Sequence, residues 1–301
     1  MTIDTLLIIG GGLIGSSIAR AAKQYGQAKT IYISDKSASA CEAIERLGLA
    51  DGVAENGPEL YASQADMIIL CVPPGRIGEV AEAIIPVMKE GAILSDVGSV
   101  KGDVIKQVSP FLTDKIHFVP GHPIAGTEYS GPEAGFAELF KDRWCVLTPD
   151  GADAGAVETV KALWEGMGAL VAEMESKRHD IVLATTSHVP HLIAYTLVGT
   201  AVDMETVTNN EVVKFSAGGF RDFTRIASSD PVMWRDVFLA NRDATLEVVD
   251  RFIEDLSALK RAIRWEDGDA LLEHFAKTRD IRRHIVDAGQ ESAAPNFGRD
   301  N

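Results

Sequence analysis

Several short stretches carry residue types whose spacing suits chemistry. In GGGLIG, Gly10, Gly12 and Gly15 form G-x-G-x-x-G directly after the apolar run LLIIG and at the mouth of a helix-patterned segment, with Leu13 and Ile14 completing the turn. In that pattern the first glycine permits a tight turn, the second lets backbone approach a pyrophosphate, and the third lets the helix pack closely. The helix N-terminus then attracts the negative charge. Asp35 follows twenty residues after Gly15, at the end of the apolar run IYISD, where a carboxylate holds ribose hydroxyls. Such a carboxylate repels a 2'-phosphate and favours NAD, whereas Lys36 beside it would accommodate the phosphate and leaves NADP open. CVPPGR at 71–76 follows another strand-like run, where Val72, Pro73 and Pro74 either line a cofactor edge or simply end the strand.

The segment DVGSVKG at 96–102 also closes a strand-like run. Ser99 and the free amides of the next helix can hold an anion or a hydroxyl there, or Ser99 can be a helix N-cap, and one residue can do both. GHPIAGTEYSG at 121–131 places His122 at a further strand end, and an imidazole suits removal of a hydroxyl proton during hydride transfer. In SHVPH, His188 and His191 are three apart on one helix face. No carboxylate completes H-E-x-x-H, so no metal is expected. His191 reads as a polar contact to substrate, and His188 as packing at the domain interface. FRDFTR supplies Arg221 and Arg225, either a bidentate clamp for a carboxylate or surface ion pairs with Asp222.

The elements that must position these residues follow from the patterning. Up to about residue 175, apolar runs at 6–10, 31–35, 67–73, 93–98, 117–123, 144–149 and 169–174 predict strands. Amphipathic segments at 14–25, 37–47, 77–89 and 153–166 predict helices between most of them. The class is therefore α/β, a Rossmann-type doubly wound parallel sheet. After Lys177 the pattern turns helical, at 178–206, 231–263 and 267–287, which divides the chain into a dinucleotide-binding domain (1–176) and a helical domain (177–301). One helix start is explicit: Ser229 and Asp230 can cap, and Pro231 suits the first helical position. The Gly-rich FSAGGFRDFTRIASS before it cannot be a plain core helix.

A length of 301 residues suits two domains. A net charge of −15 excludes a nucleic-acid surface and requires a local basic group if the substrate is anionic; Arg221 and Arg225 supply it. Cys41, Cys71 and Cys145 form no metal-type pair, which fits a reduced, cytoplasmic compartment. The apolar N-terminus contains Asp4 and lacks a preceding basic residue, so no signal peptide is expected. No run approaches about 20 consecutive apolar residues, so no membrane span is expected either. From Asp287 the tail loses its periodicity and reads as frayed.

In their order along the chain, GGGLIG, DVGSVKG, GHPIAGTEYSG, HDIVLATTSHVPH and GGFRDFTRIASSDPVMWRD resemble the prephenate and arogenate dehydrogenase family of tyrosine biosynthesis, over residues 5 to 285. The resemblance implies a Rossmann domain joined to a helical dimerisation domain, hence a homodimer. It also implies oxidative decarboxylation of a small cyclohexadiene substrate with NAD or NADP. Prephenate would give 4-hydroxyphenylpyruvate, and arogenate would give tyrosine. On this pattern His122 polarises and accepts from the ring hydroxyl, Ser99 places that histidine and the nicotinamide, Arg225 clamps a substrate carboxylate and His191 is a second substrate contact. Thr127, Glu128, Asp222 and Trp234 match supporting positions near the site. No small regulatory domain follows the last helix, so any inhibition by tyrosine is expected at the active site. Two rival readings are another two-domain hydroxyacid or imino-acid dehydrogenase and a noncatalytic nicotinamide-binding sensor. The first does not explain SHVPH together with FRDFTRIASSDP, and the second need not retain His122, Ser99 and Arg225 together, all of which this chain has.

Overall fold

The computed structural model describes residues 2–127, 129–208 and 214–287. Glu128 and the tail beyond Asp287 lie outside the described residues. Six parallel strands, β1 (Ile3–Ile9), β2 (Ala28–Asp35), β3 (Gly52–Glu55), β4 (Met67–Leu70), β5 (Ile93–Asp96) and β6 (His117–Val119), form one sheet in the order β3-β2-β1-β4-β5-β6. The helices between them are α1 (Leu13–Gln24), α2 (Ala38–Arg46), α3 (Glu59–Ala62), α4 (Ile77–Ile84) and α5 (Lys101–Val108). The strands read as continuous apolar runs because both sheet faces are covered. Along β1, Leu6 and Ile8 pack in one core with Ile18 and Trp164, and Leu7 and Ile9 pack in the other with Ile77 and Val104. With all strands parallel, every C-terminal end falls on one edge, and the chemistry-bearing segments of the first half follow those ends.

Three expectations are corrected here. The run 117–123 is two strands in two sheets: Pro120 has no N–H to give to a ladder, and its carbonyl accepts from the Thr148 amide at 2.9 Å. The chain thus leaves the large sheet and enters a second one, with β7 (Gly121–Pro123) antiparallel to β8 (Trp144–Leu147), itself parallel to β9 (Leu170–Glu173). The strands expected at 67–73 and 93–98 stop at Leu70 and Asp96, leaving their last residues in the edge turns. β3 had no apolar run to announce it.

Beyond α6 (Ala154–Gly166), the helical part opens with α7 (Ser176–Leu183), which runs through a π turn (Ala184–His188) into α8 (Val189–Thr208). The glycine-rich segment forms only a short helix, α9 (Gly218–Thr224), and a 3-10 turn (Arg225–Ser228), with no buried residue in either. α10 (Pro231–Ala240) begins as expected, with the Asp230 carboxylate accepting from the Met233 amide at 2.7 Å. The single helix expected over 231–263 is broken at Asn241, whose backbone leaves the helical region; α11 (Arg242–Arg264) and α12 (Gly268–Asp287) follow.

The chain forms two compact units, residues 1–245 and 246–301, and the composition boundary at 176/177 lies within the first. The second carries exposed apolar side chains, among them Ile253, Leu256, Ile263, Trp265, Leu272 and Phe275. One helical run, Ser176–Met204, is long and apolar enough to cross a membrane by length and composition alone. Its first part instead buries His179, Asp180 and His188 within the first unit.

Candidate active site

The nucleotide end of the site is shaped by backbone. Gly10 has φ +104°, and a Cβ there would lie 2.3 Å from the Cys71 carbonyl oxygen, so the turn passes hard against the end of β4. A Cβ on Gly15 would stand 1.9 Å from the Gly10 carbonyl oxygen, whereas one on Gly12 would meet nothing within 4 Å. Gly12 is the N-cap of α1 and offers no side-chain cap, so the first-turn amides of Leu13, Ile14 and Gly15 open onto that free space. Asp35 is held at the same edge by the Gly11 amide (2.8 Å) and the Ser37 amide (2.9 Å). This combination of open glycine, uncapped helix start and oriented carboxylate fits a dinucleotide's pyrophosphate and ribose. Val72 and Pro73 keep exposed surface beside it, while Pro74 is buried with its carbonyl accepting from Gln107 at 3.0 Å.

At the end of β5 a buried ion pair ties two sheets together. The fully buried Lys101 ammonium sits 2.5 Å from the Asp96 carboxylate and donates to the Gly121 carbonyl at 2.6 Å. The residue after Gly121 is His122, buried and paired across β7 and β8 with Val146. Its Nδ1 lies 2.9 Å from His179 Nε2, and His179 Nδ1 lies 2.8 Å from Asp180 Oδ1. Burial, with His179, Lys101 and His188 close by, holds the His122 imidazole well below the ordinary histidine range.

Ser99 is not the cap of α5, and two of the amides expected to be free there are taken. The N-cap is Val100, without a side-chain bond, and the Asp180 carboxylate from α7 accepts from the Lys101 and Gly102 amides, both at 2.8 Å. An acceptor from another helix has replaced the local one. This leaves the half-buried Ser99 hydroxyl without a hydrogen bond among the described residues.

The helical side contributes a stack. His191 lies on Trp234 with ring centroids 3.6 Å apart and donates from Nδ1 to the Ser187 carbonyl at 2.9 Å, which makes Nδ1 the protonated nitrogen. Trp234 is buried, and its indole N–H has no partner among the described residues. Burial lowers the His191 imidazole, and the nearby Arg225 charge adds to the effect. Arg225 is exposed and forms no ion pair among the described residues; neither it nor Arg221 pairs with Asp222. His188 is buried beneath, with its Nδ1 3.1 Å from the Asn241 amide nitrogen, which also donates to the Asp180 carbonyl at 2.8 Å. Burial pushes His188 down to about 4.

The structure thus gathers His122 with the helical-side residues His188, His191, Trp234 and Arg225. Thr127 and Asp222 are exposed, and the Thr127 hydroxyl accepts from the Tyr129 amide at 3.3 Å. Sequence reasoning missed Lys101, His179, Asp180 and Asn241. The adjacent His-Asp pair heading the helical half was the available signal for two of them; nothing in the pattern marked Asn241.

Dinucleotide features at one sheet edge and a buried imidazole beside them define a dinucleotide-dependent dehydrogenase. Family models agree: residues 18–173 match the nucleotide-binding domain of prephenate dehydrogenase, and residues 175–277 match its dimerization domain. The chain belongs to the prephenate dehydrogenase family. It is 45% identical to a cyclohexadienyl dehydrogenase of Zymomonas mobilis over 92% of this chain and 94% of the relative. It is 35% identical to a prephenate dehydrogenase of Bacillus subtilis over 98% of this chain and 79% of the relative. The crystal structure of prephenate dehydrogenase from A. aeolicus in complex with hydroxyphenyl propionate and NAD+ superposes with a TM-score of 0.88 at 34% identity, covering 95% of this chain and 99% of that one.

Proposed function

We propose that the chain catalyses NAD-dependent oxidative decarboxylation of prephenate, arogenate or both in tyrosine biosynthesis. The observation that carries this reading is His122: buried at the cofactor edge, kept neutral by burial, with one ring nitrogen engaged and the other left for a substrate hydroxyl. When bound, NAD+ supplies the hydride acceptor for the ring carbon that bears this hydroxyl. His122 takes the hydroxyl proton as the carbonyl forms. Loss of carbon dioxide across the ring then returns an electron pair to that oxygen, and His122 can give the proton back as the ring becomes aromatic. Ser99 offers its unpartnered hydroxyl to the same oxygen, Arg225 holds a substrate carboxylate, and His191 on Trp234 forms a wall with a polar edge. Thr127 and Asp222 are assigned to the rim, and Glu128, outside the described residues, is assigned a supporting role on the family pattern alone.

Residues 1–176 are assigned to the nucleotide and 177–301 to substrate binding and self-association. The family's dimerization domain and the exposed apolar side chains of α11 and α12 support a homodimer. The three free cysteines fit a reducing cytoplasm. The test is reduction of NAD+ and NADP+ with each of prephenate and arogenate, four combinations in all. Reduction of NAD+ with at least one ring substrate is expected, and its absence with both overturns the proposal. His122→Asn should lower turnover by about 10²- to 10⁴-fold while leaving cofactor binding nearly intact.

A further inference from the structure

His122, His179 and Asp180 form a line of three buried groups with one direction built in. Asp180 accepts from the Lys101 and Gly102 amides as well as from His179 Nδ1, so its carboxylate is an acceptor throughout. His179 Nδ1 therefore carries a proton. In a neutral imidazole that leaves Nε2 bare, and Nε2 can only accept from His122 Nδ1. The remaining nitrogen of a neutral His122, Nε2, is then also bare.

We infer that Asp180 and His179 are positioning residues that hold His122 in the tautomer whose Nε2 is free to accept a proton. This rests on the reading of His122 as the base. In the step concerned, the substrate O–H bond breaks and an N–H bond forms at His122 Nε2. The O–H electron pair becomes the second carbon–oxygen bond as the ring carbon's hydride departs to the nicotinamide. The new imidazolium keeps its Nδ1–H on His179, which leans on the Asp180 carboxylate. Burial opposes that charge, as do His179, Lys101 and His188, so it is transient and the proton returns when the ring becomes aromatic. Among the described residues, the paired Lys101 ammonium can only donate, and the Asn241 amide is spent on His188 and the Asp180 carbonyl.

The experiment is nitrogen NMR of ¹⁵N-histidine-labelled wild-type protein at neutral pH, with the His122 signals identified by their loss in His122→Asn. A protonated Nδ1 and a bare Nε2 are expected; a protonated Nε2 overturns the inference. His179→Leu removes the acceptor and should scramble the tautomer and lower kcat by about 10²-fold with KM little changed. His179→Gln offers an amide oxygen to His122 Nδ1 and should restore the tautomer and most of the turnover. A His179→Gln enzyme with the native tautomer but the turnover of His179→Leu overturns the positioning role. Wild-type protein with the expected tautomer but no turnover of either ring substrate overturns the dehydrogenase reading instead, and supports the tautomer assignment.

Discussion

In a chain of net charge −15, Arg225 stands without an ion pair among the described residues, close enough to His191 to lower its imidazole. An unpaired guanidinium beside an aromatic wall is what a carboxylate ligand requires. Arg225→Ala should raise KM for the ring substrate by about 10- to 150-fold, the equivalent of a lost charged hydrogen bond of about 1.5–3 kcal/mol, with kcat less affected; an unchanged KM in steady-state kinetics would refute the clamp. His122 works as a base only when neutral, and its folded value lies well below 6.5. The acid limb of kcat/KM should therefore fall below pH 6.5, and a limb at or above that pH would count against His122 as the titrating base. His122, Ser99 and Arg225 could be singled out as candidates because each stands in a distinctive motif. The His122–His179 contact was not, since its partners are 57 residues apart and only the docking of α7 brings them together.

The glycine turn separates two duties that a sequence motif merges. A Cβ at Gly12 meets nothing within 4 Å, but one at Gly15 meets the Gly10 carbonyl at 1.9 Å. Gly12→Val should leave Tm nearly unchanged and raise KM for NAD+ about tenfold or more by filling the pyrophosphate's approach. Gly15→Ala should lower stability by about 1–3 kcal/mol through overpacking of α1 against the turn. Thermal melts and cofactor titrations of the two variants check this, and a stable Gly15→Ala with normal binding would contradict it. Parallel strands and their crossover helices were readable from apolar runs and amphipathic periodicity. Three elements were not: β3 is too short and polar to form a run, Pro120 hides a change of sheet inside one apolar stretch, and Asn241 breaks a helix for tertiary hydrogen bonds that local pattern does not encode.

Across the whole molecule, histidines buried in neutral form make stability depend on pH. His188 titrates at about 4 in the folded chain against an ordinary 6.5, so between these values the unfolded chain binds more protons. The stabilisation is present above pH 6.5 and lost as pH falls toward 4. For His188 alone the loss at pH 4 is about 3 kcal/mol, with His122 acting in the same direction. Urea midpoints should fall from pH 7.5 to pH 5, and flat midpoints would show that these rings are not buried neutral. The apolar run Ser176–Met204 has a further consequence, for synthesis. A nascent chain emerges in order, and its earlier domain folds first. If residues 1–176 fold as they emerge, the surface that receives Asp180 at the start of α5 is complete before this run leaves the ribosome. A permuted gene that encodes residues 177–287 ahead of residues 1–176 would release the same run with nowhere to dock, and its product should partition into the insoluble fraction or onto membranes; equal soluble yields for the two gene orders would show that the order of emergence is immaterial.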